Sequence, residues 1–297
     1  MQRRAKNYAA VEQFLWSDLP DAADFIVHQG SRLRTPPEAL SGWVENGYAI
    51  LEGAVADGAT NRFLTEVHAA IATPGSQLPM TYWDEEGHHY DKATPALLMK
   101  HEAKVLDLHT RLASAADLIF APRILDFLRD IFQDDAVAFQ SLYFEFGSQQ
   151  GAHQDTAFVY TDPPYHFAAS WIALEDAVPG AGELFYYPGS QRLDDLIFAD
   201  GTKALRPGDP AGSSYSKDLE QIAVGEGLQR KLLHIRSGDA LLWAADLIHG
   251  GAPIRNRHTR RSLVTHYCRK SATVPYVAAN AREIRCVRSG AWVVGAN

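Results

Sequence analysis

From about residue 136 onward the chain breaks into short apolar runs separated by glycine and proline turns, and that punctuation limits what it can fold into. The runs are Val137 to Phe146, Phe167 to Asp176, Glu183 to Tyr187, Leu232 to Arg236, Ala240 to Ala244 and Arg260 to Cys268. Between them stand Pro179-Gly180-Ala181-Gly182, Pro188-Gly189-Ser190 and Ser237-Gly238-Asp239. Strands this short cannot bury an apolar face alone, so two sheets must close on each other, as in a jelly roll. The first third carries a different period. Leu40/Trp43/Val44, Phe63/Leu64/Val67/Ile71, Val105/Leu108/His109/Leu112 and Ile124/Phe127/Leu128/Ile131 recur at helical spacing, which predicts helices bracing one sheet.

Local signals refine the helical part. Thr35-Pro36-Pro37-Glu38 reads as a capping box with proline at the first helical position, and Gly47 stands where a helix end needs positive φ. A strand over Tyr48–Leu51 follows, and Asp57 is placed to cap the next helix. Residues 74–95 and 198–227 read as long polar loops, of a length usually reserved for lids or disordered segments. The whole chain is expected to be one domain over 1–297. Residues 1–135 form a mainly helical bracing region, 136–270 the jelly-roll core and 271–297 a C-terminal extension.

A net charge of −8 argues against a nucleic-acid partner, which demands a basic face. No apolar run approaches the roughly 18 residues of a membrane helix. Met1-Gln2-Arg3-Arg4-Ala5-Lys6-Asn7 is basic but is followed by no apolar segment, unlike a secretory signal. Two cysteines, Cys268 and Cys286, build neither a disulfide framework nor a zinc site. These readings predict a soluble cytoplasmic protein.

Chemistry concentrates in three residues: His153 and Asp155 in Gly151-Ala152-His153-Gln154-Asp155-Thr156, and His249 in Ile248-His249-Gly250-Gly251. Two imidazoles and one carboxylate can hold a redox metal on one face and leave three positions open, the facial triad of non-haem iron(II) oxygenases. A His-x-Asp pair alone is weak, since roughly one arises by chance here. The chain has two, the other being His89-Tyr90-Asp91. His153 and Asp155 follow the best strand signal across a Gly147-Ser148-Gln149-Gln150-Gly151 turn, and on a strand such a pair shares one face roughly 6–7 Å apart. His89 and Asp91 sit in the 74–95 segment and read as a solvated surface pair. His249 follows the apolar Leu241-Leu242-Trp243 run, and Gly250-Gly251 would let a ligand approach the backbone. His234 is a rival within an alternating strand.

Eleven positions after His249, Arg260 opens Arg260-Arg261-Ser262-Leu263-Val264-Thr265-His266-Tyr267. Alternation puts Arg260, Ser262 and Val264 on one face and Arg261, Leu263 and Thr265 on the other. An interior arginine needs an anionic partner, and a guanidinium pairs bidentately with a carboxylate. The alternative is that both arginines form surface ion pairs.

Read together, these stretches resemble the phytanoyl-CoA dioxygenase family of Fe(II)/2-oxoglutarate-dependent oxygenases. The likeness rests on Gln140-Ser141-Leu142-Tyr143-Phe144, His153-Gln154-Asp155, Ser170-Trp171-Ile172-Ala173-Leu174-Glu175-Asp176, Gly182-Glu183-Leu184 through Pro188-Gly189-Ser190, Gly238-Asp239, His249-Gly250-Gly251 and Arg260-x-Ser262, with Gly47-Tyr48-Ala49-Ile50-Leu51 ahead of them. It covers most of 36–270; Gln191 departs from it, standing where relatives often have His. The resemblance implies a cupin-like double-stranded β-helix, mainly β with flanking helices. It also implies metal ligation by His153, Asp155 and His249 and binding of 2-oxoglutarate by Arg260, supported by Ser262, Gln140 and Trp171. Core packing is the alternative for Trp171. Lys104 is a further position of interest whose registration the sequence leaves open.

The cofactors so implied are Fe(II), 2-oxoglutarate as co-substrate and O2, and the reaction is hydroxylation of an unactivated C–H bond in a small-molecule substrate, with release of succinate and CO2. Asp155 disfavours halogenation, since related halogenases replace that carboxylate with a small residue; desaturation, epoxidation and ring closure stay open. Phe158, Tyr160 and Tyr165 are candidate substrate-lining residues. Two other readings compete: a cupin-like Zn or Mn hydrolase or isomerase on the same three ligands, which would have no use for Arg260, and a non-catalytic jelly-roll binding module. The sequence sets neither the substrate nor the oligomeric state.

Overall fold

A computed structural model describes residues 1–206, 208–275 and 283–294. Its backbone is a strand-rich barrel of two facing sheets. The larger runs in the order Tyr48–Leu51, Ala240–Ala244, Phe167–Ala173, Ser262–Arg269, Ala136–Phe144, His101–Leu106, Pro79–Asp84, Gly87–Lys92, and the 291–294 strand adds alongside residues 136–138. The smaller places Leu184–Tyr186 between Lys231–Leu232 and His249–Gly251. This is the expected double-stranded β-helix, mainly β with helices, and among the described residues no helix is long and apolar enough to cross a membrane.

Alternation along each central strand divides its side chains between two cores. From Phe167–Ala173, Ala168 and Ile172 join the helix-side core, while Ala169, Trp171 and Ala173 face the interior. From Ser262–Arg269, Leu263 and Tyr267 face the helices and Val264 the interior. The helices Ala59–Ala72 and Pro122–Phe132 close the outer face with Phe63, Val67, Ile71, Ile124, Phe127, Leu128 and Ile131. Each such side chain contributes about 1.5–3 kcal/mol on burial. Leu184 and Tyr186 of the small sheet meet Trp171, Trp243 and Val264 across the interior.

Several expectations need correction. Residues 74–95 are not a loop: Pro79–Asp84 and Gly87–Lys92 form a hairpin that extends the large sheet. Val105 lies on the strand His101–Leu106, not on a helix. There the period-2 burial of Ala103 and Val105 wins over the apparent 3.6-residue spacing. The first 135 residues therefore supply strands to the sheet as well as helices. Residues 198–227 contain a helix, Tyr215–Gly225, whose Tyr215, Leu219 and Ala223 are buried. The capping box does not form, because Pro36 is the N-cap of Pro37–Asn46 with no side-chain bond, and Gly58 rather than Asp57 precedes Ala59–Ala72. Gly47 does end its helix in the left-handed conformation, at φ 77°. Part of the predicted C-terminal extension (276–282 and 295–297) lies outside the described residues.

Candidate metal centre

His153 and His249 meet because their backbones pair. His153 N–H donates to the His249 carbonyl at 2.8 Å and His249 N–H to the His153 carbonyl at 3.0 Å. This antiparallel bridge stands the imidazoles face to tilted face, with ring centroids 4.3 Å apart. Gln154 stays extended, so His153 and Asp155 project to the same side, and the 3-10 turn Asp155–Ala157 then carries the chain away. The i, i+2 geometry thus holds across an isolated bridge and one extended residue, without a regular strand over these positions. His89, by contrast, does lie on a strand, but its Nε2 is taken by Asp84 at 2.7 Å and Asp91 is exposed. His234 is exposed and takes no part.

Both histidines of the cluster are oriented from behind. His153 Nδ1 lies 2.9 Å from the Gly151 carbonyl and His249 Nδ1 2.9 Å from the Leu247 carbonyl. A carbonyl only accepts, so each Nδ1 carries the proton and each Nε2 presents a lone pair. Those Nε2 atoms stand 3.8 and 3.6 Å from Asp155 Oδ1. One donor atom from each of the three residues falls within 4.8 Å of the others, a group that could hold a metal ion. Burial, then the neighbouring His249, push His153 down to about 3, so it is neutral and ligand-ready at any ordinary pH. Burial works against the Asp155 charge, but His249 and His266 outweigh it and hold the carboxyl well below its usual range. Soft thiolates are absent from the set, which suits Fe(II) or another borderline divalent ion.

The same cavity, about 450 Å³ counted to its open mouth, is lined by His153, Asp155, His249, Trp171, Trp243, Arg260 and His266. Arg260 is 4% exposed, and its Nε has no hydrogen-bond partner among the described residues. Burial pushes its guanidinium down to about 10, against the attraction of Glu183. It lies over Trp171 at 5.4 Å, whose own Nε1, like Ser262 Oγ, is buried with no hydrogen-bond partner among the described residues. Arg261 points the other way and binds Glu145 at 2.7 Å and Glu175 at 3.3 Å. The phase of the strand is therefore the one that puts Arg260 inside.

Gln140 is placed differently. It pairs with His266, while Ser262 pairs with Phe144, so Gln140 lies four positions away from the Arg260 end. Lys104 sits on the strand His101–Leu106 opposite Thr81, and its charge adds to the forces that keep His153 neutral. Phe158 stands edge-on to His153 at 5.5 Å and is 50% exposed at the rim. Tyr160 is also partly exposed, whereas Tyr165 is buried in an ion cluster and does not line the cavity. Gly250 borders the cavity, and both Gly250 and Gly251 also leave room for the protein's own chain. A Cβ on Gly250 would lie 2.6 Å from Phe185, and one on Gly251 2.7 Å from the Gln149 backbone.

Two residues of the site were not singled out from the sequence. Trp243 Nε1 donates to Asp155 Oδ2 at 2.8 Å, and His266 Nε2 lies 3.4 Å from the same oxygen. Continuing the Arg260, Ser262, Val264 alternation by one step would have put His266 on the inner face. Trp243 carried no signal beyond its apolar strand.

A buried cluster braces the two ligand-bearing segments. Asp246 binds Thr156 Oγ1 at 2.6 Å and Lys203 Nζ at 2.6 Å, and also Lys6; its carbonyl accepts from Gln154 Nε2 at 2.8 Å. Asp195 completes it, with Lys6 at 2.6 Å, Lys203 at 2.8 Å and Tyr165 OH at 2.5 Å.

A double-stranded β-helix with two imidazoles and one carboxylate at an inner cavity defines the class of cupin-fold proteins with a metal-binding-type site. Within that class the chain belongs to the phytanoyl-CoA dioxygenase (PhyH) family, whose sequence signature matches residues 43–262. It is 25% identical over 171 residues to the mouse (Mus musculus) phytanoyl-CoA dioxygenase domain-containing protein 1, covering 56% of this chain and 57% of that protein. The chain thus spans little more than half the length of that relative. Among solved structures it resembles the non-haem α-ketoglutarate-dependent carbocyclase SnoK from nogalamycin biosynthesis, with TM-score 0.61 and 15% identity over 81% of this chain and 87% of that one. It also resembles the epimerase SnoN in complex with Fe3+, α-ketoglutarate and nogalamycin RO, with TM-score 0.60 and 19% identity over 84% and 90% of the two chains. At these identities the likeness concerns the fold.

Proposed function

We propose that this chain, working as one domain, is an Fe(II)- and 2-oxoglutarate-dependent oxygenase that hydroxylates an unactivated C–H bond of a small molecule. The observation that carries the reading is Arg260, a buried guanidinium with a free Nε in the same cavity as the His153, Asp155 and His249 cluster. A buried cation balanced only by the attraction of Glu183, with no ion-pair contact among the described residues, is costly unless a ligand supplies a closer anion.

In this reading His153, Asp155 and His249 hold the iron, and Asp155 leaves a net positive centre that favours a dianionic keto acid. Arg260 takes the far carboxylate bidentately, with Ser262 Oγ and Trp171 Nε1 as further buried polar groups that have no hydrogen-bond partner among the described residues. Gln140, four positions from that end, has the weaker claim to a co-substrate contact. Iron with 2-oxoglutarate and O2 supplies the oxidising power, releasing succinate and CO2. The protein positions the target carbon and excludes water. Phe158, half exposed beside His153, is the rim residue that substrate would meet first.

Anaerobic titration of the protein with Fe(II) and 2-oxoglutarate tests this. A weak visible charge-transfer band, and succinate formed on admitting O2, are expected. A well-metallated protein that gives neither, and that works with Zn or Mn instead, would point to the hydrolase or isomerase chemistry open to the same ligands.

A further inference from the structure

The two oxygens of Asp155 have different surroundings. Oδ1 faces the ligand atoms of His153 and His249 at 3.8 and 3.6 Å. Oδ2 points away from them and accepts the indole N–H of Trp243 at 2.8 Å. His266 Nε2 is the next polar atom facing Oδ2, at 3.4 Å, on a ring held nearly parallel to Phe139 and edge-on to Phe167. All three residues are buried, with Trp243 1%, Asp155 5% and His266 4% exposed. Trp243 also lays its ring against His249, centroids 4.8 Å apart. One indole therefore touches two of the three residues of the cluster.

We propose that Trp243, with His266 behind the same oxygen, is a positioning residue that confines Asp155 to ligation through Oδ1 alone. This rests on the cluster being a metal centre. A carboxylate beside a divalent ion can bind through one oxygen or both, and the second mode fills a coordination position. A charged oxygen that already holds a short N–H bond in a dry site gains little by turning to the metal. Confinement to one oxygen keeps three positions open, the number that a chelating keto acid and O2 together need. A phenylalanine at 243 would fill similar space without supplying the donor; the indole nitrogen is the part the argument needs.

The test uses the metal-stripped full chain titrated with Co(II), whose visible absorption reports coordination number, followed by 2-oxoglutarate added to the Co(II)-loaded protein. Trp243→Phe is expected to bind Co(II) roughly 10–100-fold more weakly, as for other residues that orient a metal ligand, with an altered visible spectrum and weaker 2-oxoglutarate binding. Because Trp243 is in the core, a second protein carries β-(3-benzothienyl)alanine at 243, which has the tryptophan shape without the N–H. It should show the same loss of Co(II) affinity while keeping the native circular dichroism spectrum and cooperative melting. Wild-type Co(II) affinity and spectrum in the benzothienyl protein would overturn the positioning role while leaving the metal centre intact. Wild-type protein that takes up no Co(II), or takes it up equally after His153→Ala, would overturn both.

Discussion

Arg260 and Arg261 are neighbours with opposite fates, decided by the pleat of one strand. Arg261 is neutralised at the rim by Glu145 and Glu175; Arg260 is buried with Glu183 as its main electrostatic counterweight. Arg260→Ala should weaken 2-oxoglutarate binding to the Fe(II) protein by about 2–5 kcal/mol, the range for removing one partner of a buried charged pair. Arg261→Ala should leave it within a few tenths of a kcal/mol, because that side chain points outward. Isothermal titration of both variants decides, and a reversed pattern would place the wrong arginine in the cavity. The sequence carried this much, since a period of two leaves only two phases and charge burial then favours one occupant. It did not carry Trp243, because hydrogen bonding between residues 88 positions apart has no local signature.

At the level of elements, His153 is aligned by its bridge to His249, and that bridge requires the 148–150 segment to pass against Gly250 and Gly251. Gly251→Ala would push a methyl to 2.7 Å from the Gln149 backbone and the Ser148 hydroxyl. A cost of about 1–3 kcal/mol is expected from overpacking, with weakened Co(II) uptake because the His249 strand must shift. Lower thermal stability with unchanged metal affinity would show that the bridge tolerates the shift. The start of the 198–227 stretch is pinned through Lys203 to Asp195 and Asp246. Lys203→Met leaves a buried carboxylate under-compensated and should cost about 3–5 kcal/mol. Hydrogen exchange should rise first in 198–206 and then in the 153–157 turn that Asp246 supports. Uniform exchange across the molecule would argue against this coupling.

For the whole molecule, the site makes the metal-free protein acid-sensitive. His153 titrates near 3 when folded against about 6.5 when unfolded. Between those values the unfolded chain binds the extra proton, so stability is full above about 6.5 and falls as pH drops towards 3. The lowered Asp155 acts in the same direction, its contribution being lost below the unfolded carboxylate range. Asp18, whose burial raises its carboxyl to about 7, acts the other way over the same window, so the share of His153 is read as a difference: melting temperature should fall further between pH 7 and pH 5 in stripped wild-type protein than in His153→Gln. Divalent metal at 100 times its dissociation constant should add about 2.7 kcal/mol at pH 7. Equal falls in the two proteins, together with no response to metal, would contradict the buried cluster.

The strand and turn rhythm after residue 136 was legible in the sequence, which also singled out His153, Asp155 and His249 as candidates and narrowed the arginines to two phases of one strand, because periodicity and residue chemistry are local properties. The hairpin Pro79–Asp84/Gly87–Lys92 and the helix Tyr215–Gly225 were hidden in polar stretches, since what orders them is pairing with the distant strand His101–Leu106 in one case and burial of Tyr215 and Leu219 in the other. Tertiary structure alone decided how the three side chains converge: through a backbone bridge between His153 and His249, nearly a hundred positions apart. Long-range hydrogen bonds and packing choose such geometry only after the chain has closed on itself, and no window of sequence contains both halves.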